Sequence, residues 1–188
     1  MDGVRSDVKV VESPRRVRVF DAFLRLFALA FTLVAAVVVG VSKETEIVPI
    51  TITPSLPTLH LQFTAKWQYM SAFVYFLVSN AIACSYAAAS LLYSLAVSSS
   101  FNQDAVVLVL SILDLVIMAL LFSANGAAAA IGIIGRDGNS HVQWRKVCDM
   151  FGAFCHHFTA ALVLSLIGSS AFLLLVAFAV LGLHKKPK

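Results

Sequence analysis

Apolar residues along this chain gather into four long blocks, Phe20 to Val41, Met70 to Val97, Ala105 to Ile134 and Phe158 to Leu183, with short polar stretches between them. A hydrocarbon core of roughly 30 Å takes about 20 mostly apolar residues as a helix, so each block is long enough to cross a bilayer once. The pattern predicts an all-α membrane protein, a four-transmembrane-helix bundle over residues 20–183. It is framed by a basic tail, 1–19, and a short tail, 184–188, and joined by outer loops 42–69 and 135–157 and an inner loop 98–104.

The first outer loop breaks the helical pattern. Pro49, Pro54 and Pro57 stand among Ile, Val and Thr, which favours extended or short-strand structure over helix. Its apolar residues, from Ile47 and Val48 to Leu61 and Phe63, are many for a solvated loop. They predict packing on the third loop, on a partner or on the membrane surface.

Composition narrows the class. Of the 188 residues 60% are hydrophobic and 13% charged, against about 25% charged in a soluble domain. No tail or loop is long enough to bury a core of its own. The first block runs about 22 residues with no small-residue cleavage site close behind it, so it reads as a retained signal anchor.

Charge sets orientation. Arg5, Lys9, Arg15, Arg16, Arg18, Lys185, Lys186 and Lys188 put eight cations beside the termini, against five (Lys43, Lys66, Arg136, Arg145 and Lys146) on the other side. The bias predicts cytoplasmic termini and places Trp67, Tyr69 and Trp144 near the outer interface. The net charge of +4 lies beside membrane spans, so the lipid bilayer, not nucleic acid, is the partner it implies.

Two charges lie inside the blocks. Arg25 is about 7 Å past the apolar boundary and can snorkel to the headgroups, with Asp21 one turn earlier as its partner. Asp114 is about 13 Å deep, too far for a short carboxylate to reach water, and needs a partner or a proton. With both helices entering from one side, the two residues share a half of the bilayer, and an interhelical Arg25–Asp114 pair satisfies both. The other use of such a carboxylate is ion or proton coupling. A transport path usually adds broken helices and internal repeats, and this chain has no proline inside a block and no evident repeat. Asn80 and Asn125 read equally as helix-to-helix glue or as pathway residues.

Small residues recur every four positions at Ala81, Ser85 and Ala89, at Ala124, Ala128 and Gly132, and at Ala161, Ser165 and Ser169. Such strips let helices approach closely, within one subunit or between copies in a homo-oligomer.

Chemistry is densest between Trp144 and His157. Cys148 and Cys155, seven apart, stand in an oxidising space if the loop is extracellular. A continuous helix would hold them about 10 Å apart along its axis, too far to bridge, unless Gly152 breaks it. The alternatives are a disulfide and two free thiols. Cys148, Cys155, His156 and His157 lack the spacing of familiar zinc sites, so no metal or other cofactor is expected. Cys84 reads as a small apolar core residue, with lipidation near an interface as the alternative. No nucleophile elbow, zincin or phosphate-loop motif is present, and catalysis is not expected.

Four spans, Arg25, Asp114, the run Trp144, Cys148, Phe151, Phe154, Cys155, and the stretch Ser71 to Phe76 together resemble the plant Casparian strip membrane protein-like family, related to the tetraspan MARVEL proteins. The resemblance covers nearly the whole chain. It implies a plasma-membrane protein with cytoplasmic termini that assembles with itself and with related members. In the founding members such assemblies organise a membrane domain that recruits secreted cell-wall-modifying enzymes. The first outer loop lacks the short stretch characteristic of those founding members, which aligns this chain with the "-like" members. A scaffold is thus the leading expectation. A small transporter, channel subunit or regulator using Asp114 is the alternative.

Overall fold

The computed structural model describes residues 14–50, 59–96, 103–142, 144 and 146–184. The basic positions Arg5, Lys9, Arg145, Lys185, Lys186 and Lys188 lie outside them, as does most of the 98–104 loop. Along the chain run α1 (Pro14–Val41), β1 (Lys43–Ile50), β2 (Leu59–Lys66), α2 (Ser71–Ala96), α3 (Gln103–Asp137) and α4 (Gly152–His184). All four helices contain a stretch long and apolar enough to cross a membrane, and the protein is a four-span all-α bundle, to which the described residues add one β-hairpin.

The helices close into a ring: α1 packs between α2 and α4, and so does α3. Two diagonals therefore cross the interior, α1 to α3 and α2 to α4. Each helix turns a stripe inward at three- and four-residue spacing, as on α1 with Arg25, Ala28, Thr32, Ala35 and Val39, and on α3 with Asp114, Ile117, Leu121, Ala124 and Ala128. Arg25 and Asp114 are in frame with these core positions, and that directs both charges into the bundle.

Large side chains such as Leu33, Leu92, Leu95, Val116 and Leu174 point outward, while alanines fill much of the interior. Lipid tails are as apolar as leucine, so helices in a bilayer associate through close backbone packing rather than through burial of bulk. Gly168 is the tightest helix-to-helix approach among the described glycines: a Cβ there would stand 3.1 Å from Thr32 Cγ2, so the Thr32 side chain of α1 rests directly on the backbone of α4.

The small-residue strips divide. Ala124, Ala128, Ala161, Ser165 and Ser169 are buried in the bundle, and Gly132 is half-buried beneath the Phe158 ring. Ala81, Ser85 and Ala89 face outward. The inward face of α2 carries Ala83, Ala87 and Ser90 instead. Ala83 lies two residues beyond Ala81, a rotation of about 200° that puts it on the opposite side of the helix.

The first loop forms a hairpin with Pro49 in its first strand, while Pro54 and Pro57 lie outside the described residues. Its strands pair antiparallel from Lys43↔Lys66 to Ile50↔Leu59, with the Thr45 and Thr64 hydroxyls 3.0 Å apart across the ladder. The Trp67 Nε1–H donates to the Gly40 carbonyl at 3.0 Å, which fastens the foot of the hairpin to the end of α1. Ala65 and Trp67 pack on the adjoining core, whereas Ile47 and Phe63 are exposed.

Candidate functional site: a buried charge network and a braced corner

Arg25 and Asp114 meet on the α1–α3 diagonal, with 3% and 2% of their surface exposed. The guanidinium donates to both carboxylate oxygens, Nη1 to Oδ1 at 3.2 Å and Nη2 to Oδ2 at 3.0 Å, the bidentate geometry that makes arginine pairs strong. Its Nε–H donates to Asp21 Oδ2 at 3.0 Å, so the local and the interhelical partners are both engaged by one side chain. Arg25 reaches inward rather than toward the membrane surface.

Two residues of α2 complete the network, and sequence reasoning missed both. The Tyr86 hydroxyl donates to Asp114 Oδ1 at 2.7 Å and also lies 3.2 Å from the Leu110 carbonyl. Ser90 Oγ accepts from Arg25 Nη1 at 3.0 Å and sits 3.1 Å from the Ala87 carbonyl, its own acceptor. Their signal was available: two polar residues four apart, at the depth of Arg25 and Asp114, on the helix between them. Three helices thus converge on one carboxylate, and both of its oxygens are occupied. In a medium without water each charge alone would cost several kcal/mol, so the pair makes each helix a condition for the others.

Further along the bundle the Asn125 amide donates to Ser169 Oγ at 3.1 Å, joining α3 to α4. Asn80 Nδ2 instead bonds Phe76 O of its own helix at 2.9 Å. Cys84 is a free, half-buried thiol.

The hairpin end is braced separately. Cys148 and Cys155 form a disulfide with Cα atoms 5.7 Å apart. α4 begins at Gly152, so Cys148 lies in the turn before the helix and only Cys155 is helical, which brings the pair within reach. Phe151 and Phe154 are buried beside Phe158, and Phe73 of α2 stacks within 4.2 Å of Phe158 and 6.1 Å of Phe154, across the second diagonal. Trp144 is apart from them: it is 53% exposed and held by reciprocal backbone bonds with Asn139 at 2.9 and 3.0 Å. The turn that allows this pairing needs Gly138 at φ 71°, where a Cβ would meet the Trp144 carbonyl at 2.9 Å.

Glu44 is the residue here that the chain order hid. Its Oε2 accepts the Phe154 N–H at 2.7 Å, a carboxylate from β1 set on the first turn of α4, where unpaired N–H groups and the helix dipole favour negative charge. His156 and His157 are exposed. Among the described residues no three of His, Cys, Asp and Glu gather as a metal ligand set.

Comparison with known proteins finds relatives over nearly the whole chain. The profile of the Casparian strip membrane protein domain matches residues 14–173. The chain is 55% identical to CASP-like protein 1E1 of Vitis vinifera over 98% of its own length and 92% of the relative's. It is 52% identical to CASP-like protein 1E1 of Glycine max over 99% and 100%, and 43% identical to that of Arabidopsis thaliana over 97% and 95%. No solved structure matches it. With the domain profile covering both Arg25 and Asp114 and the disulfide corner, the chain belongs to the Casparian strip membrane protein family, among its CASP-like members.

Proposed function

We propose that this protein is a plasma-membrane scaffold that associates with copies of itself and with related members, organises a membrane domain and docks secreted cell-wall-modifying enzymes. The observation that carries the reading is the full engagement of Asp114, whose two oxygens are held by Arg25 and Tyr86. A carboxylate so held joins helices; a carrier site needs one that can be vacated. The reading is therefore of a static, non-catalytic bundle, in preference to a transporter or channel subunit working through Asp114.

Self-association finds support in the outward strip Ala81, Ser85 and Ala89, which its own bundle leaves uncovered and against which a second helix can pack closely. Partner docking finds support in Ile47, Phe63 and Trp144, exposed at the braced end. Four crossings put both termini on one side, and we assign that side to the cytoplasm because eight Lys and Arg flank it against five. The disulfide then lies in an oxidising compartment, where it persists.

Photobleaching of a tagged copy in a plant plasma membrane tests this. Slow recovery in discrete patches is expected, with Ser85→Leu restoring mobility while the protein still reaches the membrane. Fast, uniform recovery of the unmodified protein would overturn the scaffold reading.

A further inference from the structure

Most hydroxyl groups inside these helices find an acceptor in the preceding turn, and two buried ones have no partner at all. Thr32, Ser85, Ser111, Thr159, Ser169 and Ser170 each donate to the carbonyl four residues back, at 2.7 to 2.9 Å. That is how a hydroxyl is satisfied where the bilayer offers no water. Ser79 and Ser165 are 1% and 0% exposed, and their Oγ atoms have no hydrogen-bond partner.

Two amide oxygens share that condition. Asn80 and Asn125, 0% and 3% exposed, direct their NH₂ groups to Phe76 O and Ser169 Oγ and leave each Oδ1 unpartnered. Their orientations are forced. A group facing a carbonyl oxygen has to be the amide donor, and Ser169 already donates to Ser165 O, so its oxygen can only accept from Asn125.

The four atoms belong to one slab of the interior. A Cβ on Gly132 would stand 3.3 Å from the Phe158 ring, so those two positions share a level. Asn125 and Ser165 each lie seven residues, about 10 Å, from that level in the same direction, because α3 and α4 run antiparallel. The Phe76 ring is 5.9 Å from Phe158, and Ser79 and Asn80 follow Phe76 by about 5 to 6 Å in that direction too. The charge network lies further along in the same direction, with Asp114 eleven residues or about 16 Å from Asn125 on α3 and Tyr86 six residues or about 9 Å from Asn80 on α2.

We infer that this slab binds ordered water at the centre of the bundle, held by Asn80 and Ser79 of α2, Asn125 of α3 and Ser165 of α4. The chemistry of the set selects water. Two amide oxygens can only accept and two hydroxyls can donate or accept, which fits a molecule that makes about three hydrogen bonds of both kinds. A metal cation would meet no carboxylate here, since Asp114 is three turns away and committed to Arg25. Buried polar atoms in native proteins are almost always partnered, and four orphans within about 6 Å of one another along the bundle axis are most simply partnered by the same kind of guest.

Water-edited solid-state NMR tests this on the full chain, asparagine- and leucine-labelled with ¹⁵N, in bilayers with deuterated acyl chains. The Asn80 and Asn125 side-chain amides should take up water magnetisation nearly as fast as exposed Asn139, and Ser165→Ala should slow uptake at Asn125 several-fold. Uptake at both as slow as at the buried Leu121 backbone would overturn the inference. So would resonances that shift when Na⁺ is exchanged for K⁺ at fixed ionic strength, which would mark a cation instead. The comparison within the unmodified protein decides alone, so a variant that fails to fold leaves the test intact.

Discussion

Arg25 and Asp114 stand 89 positions apart in the chain and 3.0 Å apart in space, and the line between them crosses the bundle from α1 to α3. Around the ring α2 and α4 stand between these two helices. The ion pair is thus a tie through the interior, and Tyr86 and Ser90 bind α2 to the same knot.

Tyr86→Phe removes one hydrogen bond to a charged acceptor and keeps the ring that packs 6.2 Å from Phe172. We expect a loss of about 1.5–3 kcal/mol, measured as unfolding of the purified protein in mixed micelles. The loss should be smaller than that for replacing Asp114, because Arg25 keeps its carboxylate.

Gly168→Leu drives a side chain into Thr32 and parts α1 from α4. A destabilisation of about 1–3 kcal/mol or a misfolded product is expected, read by thermal unfolding and by retention inside the cell. Gly182, where an added Cβ meets nothing within 4 Å, should accept the same change with little effect.

Cys148→Ser opens the bridge that pins the start of α4. Loss of a disulfide typically removes about 2–4 kcal/mol. Reductant should lower the thermal midpoint of the unmodified protein to that of the variant and leave the variant unchanged, which separates the bridge from any role of the free thiols.

Glu44→Gln keeps the shape of the brace on α4 and removes its charge. About 0.3–1 kcal/mol should be lost at low salt and less at high salt, since a charge at a helix end is screened by ions. An equal loss at both ionic strengths would argue that Glu44 acts as a neutral hydrogen-bond acceptor.

How far such features can be read from residues alone depends on what forces them. The spans and the partnership of Arg25 with Asp114 are legible because a bilayer leaves long apolar runs and buried charges few alternatives. The extended character of the first loop is legible in its prolines and β-branched residues, though not its pairing as a hairpin, and two cysteines around a glycine make the disulfide one of two alternatives. The α2 strip is a different matter. Ala81, Ser85, Ala89 and the inward Ala83, Ala87 have the same spacing and the same chemistry, so only packing decides which faces the core. Tyr86, Ser90 and Glu44 are ordinary residues whose roles come from what lies opposite them, more than twenty positions away in every case. The Trp144 to Cys155 stretch looks like one motif in the chain, yet Phe151 and Phe154 are core while Trp144 is surface.

The account rests on Arg25 and Asp114 acting as a structural tie, and a double-mutant cycle with Arg25→Leu and Asp114→Leu tests that most directly. Unfolding of each variant in micelles should show either single change costing roughly 3–5 kcal/mol, and the double variant losing less than either, because it leaves no lone charge in the bundle. Single variants as stable and as well assembled as the unmodified protein would contradict the account and return Asp114 to the list of groups free to carry an ion.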